Sequence, residues 1–204
     1  MYKKSPLKIS LLCVVSILGN IVFSYLAGLA RLPCFLDTIF SVAITFYAGL
    51  IPGLIVAGLF NPIMMLVLCY TKGVPLSFYD TLYALCGMLI VLSTWFFSHN
   101  KKEFLYSHSI TALYLTLIVF TSSFLSCIAA SLLDTFILPH FGFISGFSLF
   151  DSFHEVLRQF EIGPFLSYLI PRIPLTFLDR LFCTVTGFFI YLLMERYDRK
   201  HFVD

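Results

Sequence analysis

The chain has 204 residues, 59% of them hydrophobic and only 12% charged, with a mean hydropathy of +0.94 and a formal net charge of +2. Soluble domains carry about 25% charged residues, so the composition excludes an ordinary water-soluble globule and indicates an integral membrane protein. No basic stretch is interleaved with aromatics, which removes nucleic acid as a partner, and one all-α membrane domain over residues 1–204 is the economical organisation.

The first predicted span is 9–30, preceded by Lys3, Lys4 and Lys8. A cationic start before an apolar run also describes a signal peptide, with Gly28-Leu29-Ala30 as the small-residue cleavage site, but the run is longer than a typical h-region. Ser16, Asn20, Ser24 and Gly28 recur every four residues and share one helix face. Small faces of this kind let helices approach closely in lipid.

From Leu32 to Thr71 the only charged side chain is Asp37. Two helices of roughly 18 to 20 residues would each cross a hydrocarbon core of about 30 Å, so spans are predicted at 34–51 and 53–71. Their joint is Gly49-Leu50-Ile51-Pro52-Gly53, where proline removes a donor and glycine permits a turn. Asn61 is an amide in mid-span that needs a partner or a cavity, and an interhelical hydrogen bond is the simpler account. Gly49, Gly53 and Ala57, four apart, are read as close-packing points.

Beyond the Lys72–Pro75 turn, spans are predicted at 77–97 and 107–133, the latter long enough to tilt and carrying a small face of Ser122, Ser126 and Ala130. Residues 134–173 differ in kind, with Asp134, His140, Asp151, His154, Glu155, Arg158 and Glu161 among glycines and aromatics. They are expected to form an outer loop carrying a short amphipathic helix near Leu149 to Phe160. The last predicted span is 174–194.

Six spans put both termini on one side. With the termini inside, the inner segments hold Lys3, Lys4, Lys8, Lys101, Lys102, Arg196, Arg199 and Lys200, against Arg31, Lys72, Arg158, Arg172 and Arg180 on the outer side. The positive-inside rule therefore places both termini in the cytoplasm of a multi-pass cell-membrane protein.

In that topology the three outside-to-inside helices begin alike, with Pro33 and Asp37, Pro75 and Asp80, and Pro174 and Asp179. One reading is a helix start, because proline suits the first turn and a carboxylate complements the helix dipole. The other is convergence of these acids with Arg31, Lys72, Arg172 and Arg180 on an outward-facing polar pocket. Asp179-Arg180 supports convergence most. Counted from Pro174 the pair sits roughly 7 to 9 Å along its helix, and a charge at that depth is a functional candidate with its neighbour as counter-ion. The candidate substrate-binding residues are Asp37, Asn61, Asp80, Arg172, Asp179 and Arg180.

No phosphate-cradling GxxxxGK[ST] loop is present, so ATP hydrolysis by that route is excluded. No HExxH or close Cys/His set suggests zinc, and neither a metal nor a cofactor is expected. Cys13, Cys34, Cys69, Cys86, Cys127 and Cys183 fall in or beside apolar spans, so most are expected to be buried small hydrophobes. A disulfide between Cys34 and Cys69, both near the outer surface, stays open. With no spaced set of acids, histidines or nucleophiles on one helix, an enzyme is not expected.

Leu32-Pro33 to Asp37-Thr38, followed by Ala48-Gly49-Leu50-Ile51-Pro52-Gly53 and Gly58-Leu59-Phe60-Asn61, resembles the substrate-binding membrane subunits, or S components, of energy-coupling-factor transporters. The last span, with Pro174 and Leu178-Asp179-Arg180, is similar to that family's final helix, and Tyr83-Ala84-Leu85 and Gly87 fit its fourth. The resemblance implies a six-helix protein that captures a vitamin, related micronutrient or metal ion outside. It would work with a transmembrane coupling protein and two cytoplasmic ATPases. Where the family shows an alanine-spaced face on its first helix for contacting the coupling protein, Ser24 and Gly28 stand here. The alternative is a membrane-embedded sensor or structural module, ranked lower because the chain ends at Asp204 without a domain to carry a signal onward.

Overall fold

The computed structural model describes residues 5–30, 32, 34–73, 75–76, 78–137, 139 and 148–201. Every regular element among them is helical. In chain order these are α1 (Pro6–Leu29), α2 (Ile39–Ala48), α3 (Leu50–Lys72), α4 (Phe78–Leu82), α5 (Ala84–Ser98), α6 (Lys101–Phe104), α7 (His108–Leu132), a π-turn over Leu133–Ile137, α8 (Ser148–Gln159) and α9 (Pro164–His201).

Among the described residues, five stretches are long and apolar enough to cross a membrane: Pro6–Leu29, Leu50–Lys72, Phe78–Ser98, His108–Ile137 and Pro164–Lys200. Their outward faces fit lipid. On α1, Leu11, Val14, Leu18, Val22 and Leu26 are exposed while Cys13, Ile17 and Ile21 are buried. In a bilayer such an apolar outer surface meets solvent of its own kind.

The span expected at 34–51 is different, because only Ile39–Ala48 is helical. Ten residues rise about 15 Å, half the hydrocarbon thickness. Residues 34–37 are not helical, and Leu36 has a φ of 50°, a left-handed conformation that costs a non-glycine residue roughly 1 to 2 kcal/mol. At the other end the break falls on Gly49 alone, whose φ of 94° with ψ of −165° is open only to glycine. The expected joint through Pro52-Gly53 is therefore shorter than the sequence suggested. Pro52 and Gly53 lie in the first turn of α3, where a proline's missing donor goes unnoticed.

Other boundaries move as well. The span expected at 77–97 is two helices, α4 and α5, separated at Tyr83. The one expected at 107–133 runs on through the π-turn to Ile137. The last helix begins at Pro164, ten residues before the expected 174, and runs past 194 to His201. The outer loop expected at 134–173 thus loses both its ends to helix. Pro174, read as a helix start, sits inside α9, as does Pro171.

α9 is the hub, packed most extensively on α7 and α2, while α5 joins α3 and α7. Close approach is built in at small residues. A Cβ on Gly53 would lie 2.1 Å from Thr45 Oγ1, and one on Gly187 would lie 2.8 Å from the Ile39 carbonyl oxygen. Ala57 is buried and faces Gly87, so Gly53 and Ala57 are indeed packing points between α2, α3 and α5.

The two ends of the bundle are distinct. At one, Lys8 on α1 and Asp198 on α9 form an ion pair at 2.5 Å, and the Tyr47 hydroxyl at the end of α2 donates to the second Asp198 oxygen at 2.5 Å. Beside them Phe46, Phe104, Phe188 and Tyr191 pack ring on ring, and the Lys101 ammonium lies 4.9 Å from the Tyr191 ring centre. The start of the first helix and the end of the last therefore share one end. The unwound 34–38 segment and the π-turn belong to the other.

Candidate functional site

The helical period of α9 places Arg172, Thr176, Asp179, Arg180, Cys183 and Thr184 along one side. All but Arg172 are buried or nearly so, Asp179 completely. With α9 starting at Pro164, Asp179 lies about 22 Å along the helix, deeper than a count from Pro174 predicts. Two charged clusters form on this stripe.

The first is built on Asp179-Arg180. Asp179 Oδ1 accepts from the backbone N–H groups of Phe35 at 2.8 Å and Leu36 at 2.9 Å. Its Oδ2 meets Arg180 Nη2 at 2.5 Å. Arg180 also donates through Nη2 to Asp37 Oδ1 at 3.1 Å and through Nη1 to Thr38 Oγ1 at 2.5 Å. Irregular backbone at membrane depth survives only where protein satisfies it. Here the carboxylate on α9 takes the two donors that the unwound segment would otherwise leave unpaired. One guanidinium thus serves two carboxylates, and Arg180 Nε, though buried, has no hydrogen-bond partner among the described residues.

The second cluster centres on Asp134, 2% exposed in the π-turn. Tyr79 donates its hydroxyl to Asp134 Oδ1 at 2.5 Å, Tyr83 donates to the same oxygen, and Arg172 pairs with Oδ2. The two hydroxyls are 3.0 Å apart, and the Arg172 guanidinium carbon lies 6.0 Å from the Tyr83 ring centre. The π-turn widens the helix by one residue per turn and so re-aims Asp134 inward, a geometry frequent at functional sites. α4 supplies Tyr79, and the break between α4 and α5 supplies Tyr83.

Between the clusters, α7 presents Ser122, Ser123, Ser126, Cys127 and Ser131, all buried against the bundle interior. Ser122 and Ser126 turn their hydroxyls back onto α7's own carbonyls. Ser123, Ser131 and, on α9, Thr184 have buried hydroxyl oxygens without a hydrogen-bond partner among the described residues. The seam is therefore polar beyond what its own bonds use.

The structure brings Asp37, Asp179 and Arg180 together and puts Arg172 in the neighbouring cluster. Asp80 is half-buried on α4, and the bonds around Asp134 and Arg180 are made by other residues. Asn61 is half-buried on α3 and joins neither cluster. The interhelical amide bond expected of Asn61 is made instead by Asn20, which donates to Ser41 Oγ at 2.9 Å and accepts from the Phe40 N–H at 2.9 Å. Lys72 is exposed, 5.3 Å from the Tyr25 ring centre. Arg31, Pro33 and His140 lie outside the described residues.

Of the small face on α1, Ser16 and Asn20 are buried, Ser24 is half-buried and Gly28 is open, with nothing within 4 Å of a Cβ there. The tight approach on α1 is at Gly19, against the Phe40 ring. All six cysteines are free thiols.

Sequence reasoning missed Asp134, Tyr79, Tyr83 and Thr38 as members of these clusters. Asp134 ends an apolar run and was assigned to the loop. A signal was present in Tyr79 and Tyr83, four residues apart and so on one helix face, although the chain breaks between them. Searches of protein-family models, curated proteins and solved structures find no match to this chain.

Proposed function

We propose that the chain is the substrate-capturing membrane subunit of an energy-coupling-factor type importer. In this reading it takes up a vitamin or similar micronutrient at the end of the bundle that holds the two charged clusters. It hands the cargo on with a transmembrane coupling protein and two cytoplasmic ATPases, and performs no chemistry itself. α2 with its unwound entry counts as the sixth membrane element, both termini are cytoplasmic, and α8 belongs to an outer loop.

The observation that carries this is the meeting of Asp37-Thr38 with Asp179-Arg180. Both pairs lie in stretches of sequence that resemble the transporter subunits, and Thr38 and Arg180, 142 residues apart, bond directly. A discontinuous helix whose unwound backbone meets buried charge is also how solute sites are built inside membranes. Intramembrane ionisable groups are functional candidates on physical grounds alone.

Pairing of both Arg180 Nη nitrogens and of Asp179 within the cluster favours a second reading, a structural staple in a membrane-embedded sensor or scaffold. The deciding experiment co-expresses the chain with a coupling protein and ATPase pair. It measures co-purification and ATP-dependent accumulation of a vitamin panel, for the wild type and for Asp179→Asn with Arg180→Gln. The importer reading expects a complex with the wild type, and a double variant that folds but no longer accumulates cargo. A well-folded chain that recruits no coupling subunit and accumulates nothing overturns it. Orientation is checked with cysteines at Lys101 and Glu155 in a cysteine-free background. An impermeant thiol reagent on intact cells should label the cysteine at Glu155 and spare the one at Lys101.

A further inference from the structure

α8 has a two-sided sequence, SLFDSFHEVLRQ. Phe153, Val156 and Phe160, spaced three and four apart, lie on one face and are 57%, 47% and 73% exposed. Glu155, Arg158 and Gln159 are exposed and fall on the other side. Leu157, at the edge of the apolar face, is half-buried, and α8 packs along the start of α9. Three large apolar side chains open to the surroundings would be a liability in water.

How α8 is held decides what covers them. Its end is a Schellman motif, with the Ile162 N–H bonding the Leu157 carbonyl at 3.4 Å and the Glu161 N–H bonding the Arg158 carbonyl at 3.0 Å. Glu161 takes the left-handed position with a φ of 58°. Gly163 then accepts from the Ser167 N–H at 3.1 Å to begin α9. The connection is a fixed corner rather than a slack linker, so α8 keeps its position at the head of a helix long enough to span a bilayer. Around that corner the exposed apolar row continues on α9 as Leu166, Ile170 and Ile173, at the spacing of one helix face. Both helices thus leave a row of large apolar side chains uncovered beside the same corner.

We propose that α8 is an interfacial helix, lying at the bilayer surface with Phe153, Val156 and Phe160 in the boundary between headgroups and acyl chains. Its charges are Asp151 and Glu155 against Arg158, so it offers no cationic face to anionic headgroups. The partner is the apolar boundary of neutral, zwitterionic lipid, and binding depends on buried apolar area rather than on lipid charge.

The test uses the full chain with its single tryptophan replaced, Trp95→Phe, and a reporter introduced by Phe153→Trp, Phe160→Trp or, as control, Arg158→Trp. Each is reconstituted in phosphatidylcholine vesicles carrying brominated acyl chains, shallow or deep, and thermal unfolding checks each fold. The Phe153→Trp and Phe160→Trp reporters should emit to the blue, resist acrylamide, and be quenched more by shallow than by deep bromine. The Arg158→Trp reporter should show water-like emission and acrylamide quenching. Adding phosphatidylglycerol or salt should leave these results unchanged. Acrylamide quenching of both face reporters without bromine quenching places α8 in water and overturns the proposal. Protection from both quenchers means that protein covers the face, whether a second copy or the bundle itself, and overturns it too. Bromine quenching only with phosphatidylglycerol present overturns the neutral-lipid partner. If one face variant misfolds, the other carries the result alone.

Discussion

Both charged clusters neutralise an arginine of α9 inside the bundle, yet they are built differently. Around Arg180, one Asp179 oxygen accepts from two backbone N–H groups of an unwound segment, and the guanidinium is shared with Asp37 and Thr38. Around Arg172, Asp134 takes two tyrosine hydroxyls and one guanidinium, all from side chains. The first cluster holds a piece of main chain in a conformation that it would not keep alone. The second ties the α4/α5 break, the π-turn after α7 and α9 together through side chains alone. Removing charge should therefore hurt the first more than the second.

The largest effect is expected from Arg180→Gln. It strands Asp179, fully buried, and Asp37 beside it without their cation, and breaking a buried pair from one side costs about 3 to 5 kcal/mol. Adding Asp179→Asn should recover much of that loss. The asparagine side-chain oxygen can still accept from Phe35 and Leu36, and Asp37, with a side chain 24% exposed, is left as the one carboxylate near water. Thermal unfolding in detergent reads the ranking, and a double variant no more stable than the single would show that the backbone bonds depend on the negative charge.

Arg172→Gln should be milder, since Asp134 keeps both hydroxyl donors. Tyr79→Phe removes one of these and should cost on the order of 1 kcal/mol, the scale of side-chain hydrogen bonds inside membranes. A cycle of Arg172→Gln with Tyr79→Phe in the same unfolding assay should show losses larger together than in sum, because each donor compensates for the other. Strict additivity would mean that the cluster is not a unit. If Arg172→Gln proves as damaging as Arg180→Gln, the contrast between the two clusters fails.

How much of this was legible follows from what each residue advertises. An Asp-Arg pair inside an apolar run stands out, and so does Asp37, the one charge in its stretch. Counting along a single helix gives depth, and that was enough to mark Asp179 and Arg180 as charges inside a span. What faces them is a question of tertiary contact, which single-helix spacing does not encode. Asn61 and Asn20 are both amides in apolar helices, but only Asn20 has α2 directly opposite. Asp134 was hidden because an acid after Leu132-Leu133 looks like the end of a span, and a π-turn leaves no mark in the apolar pattern. The shortness of α2 was hidden for a related reason. Cys34, Phe35 and Leu36 are as apolar as a helix, and only the carboxylate of a distant helix makes their unwinding affordable.

Glycines refine the contrast between inward and outward faces at smaller cost. Gly187→Ala pushes a methyl toward the Ile39 carbonyl and Val42, where α9 and α2 meet just inside the first cluster. Overpacking of this kind costs about 1 to 3 kcal/mol. The unfolding temperature should fall, and cargo accumulation should fall with it if the α2 register matters to the site.

The smallest stability change is expected at Gly28, and for that reason it is the cleanest probe of docking. Nothing lies within 4 Å of a Cβ at Gly28, so Gly28→Leu should leave folding unchanged to within about half a kcal/mol. Gly19→Leu, two and a half turns earlier on the same helix, drives a side chain into the Phe40 ring and should destabilise α1 against α2. The pair separates internal packing from an external surface. If α1 presents its open end to a coupling protein, Gly28→Leu should lower co-purification of that protein while the isolated chain unfolds at its normal temperature. Ser24→Leu, half-buried, should combine part of both effects. A Gly28→Leu chain that recruits the coupling protein as well as the wild type does would move the docking surface off this end of α1 and leave Gly28 facing lipid.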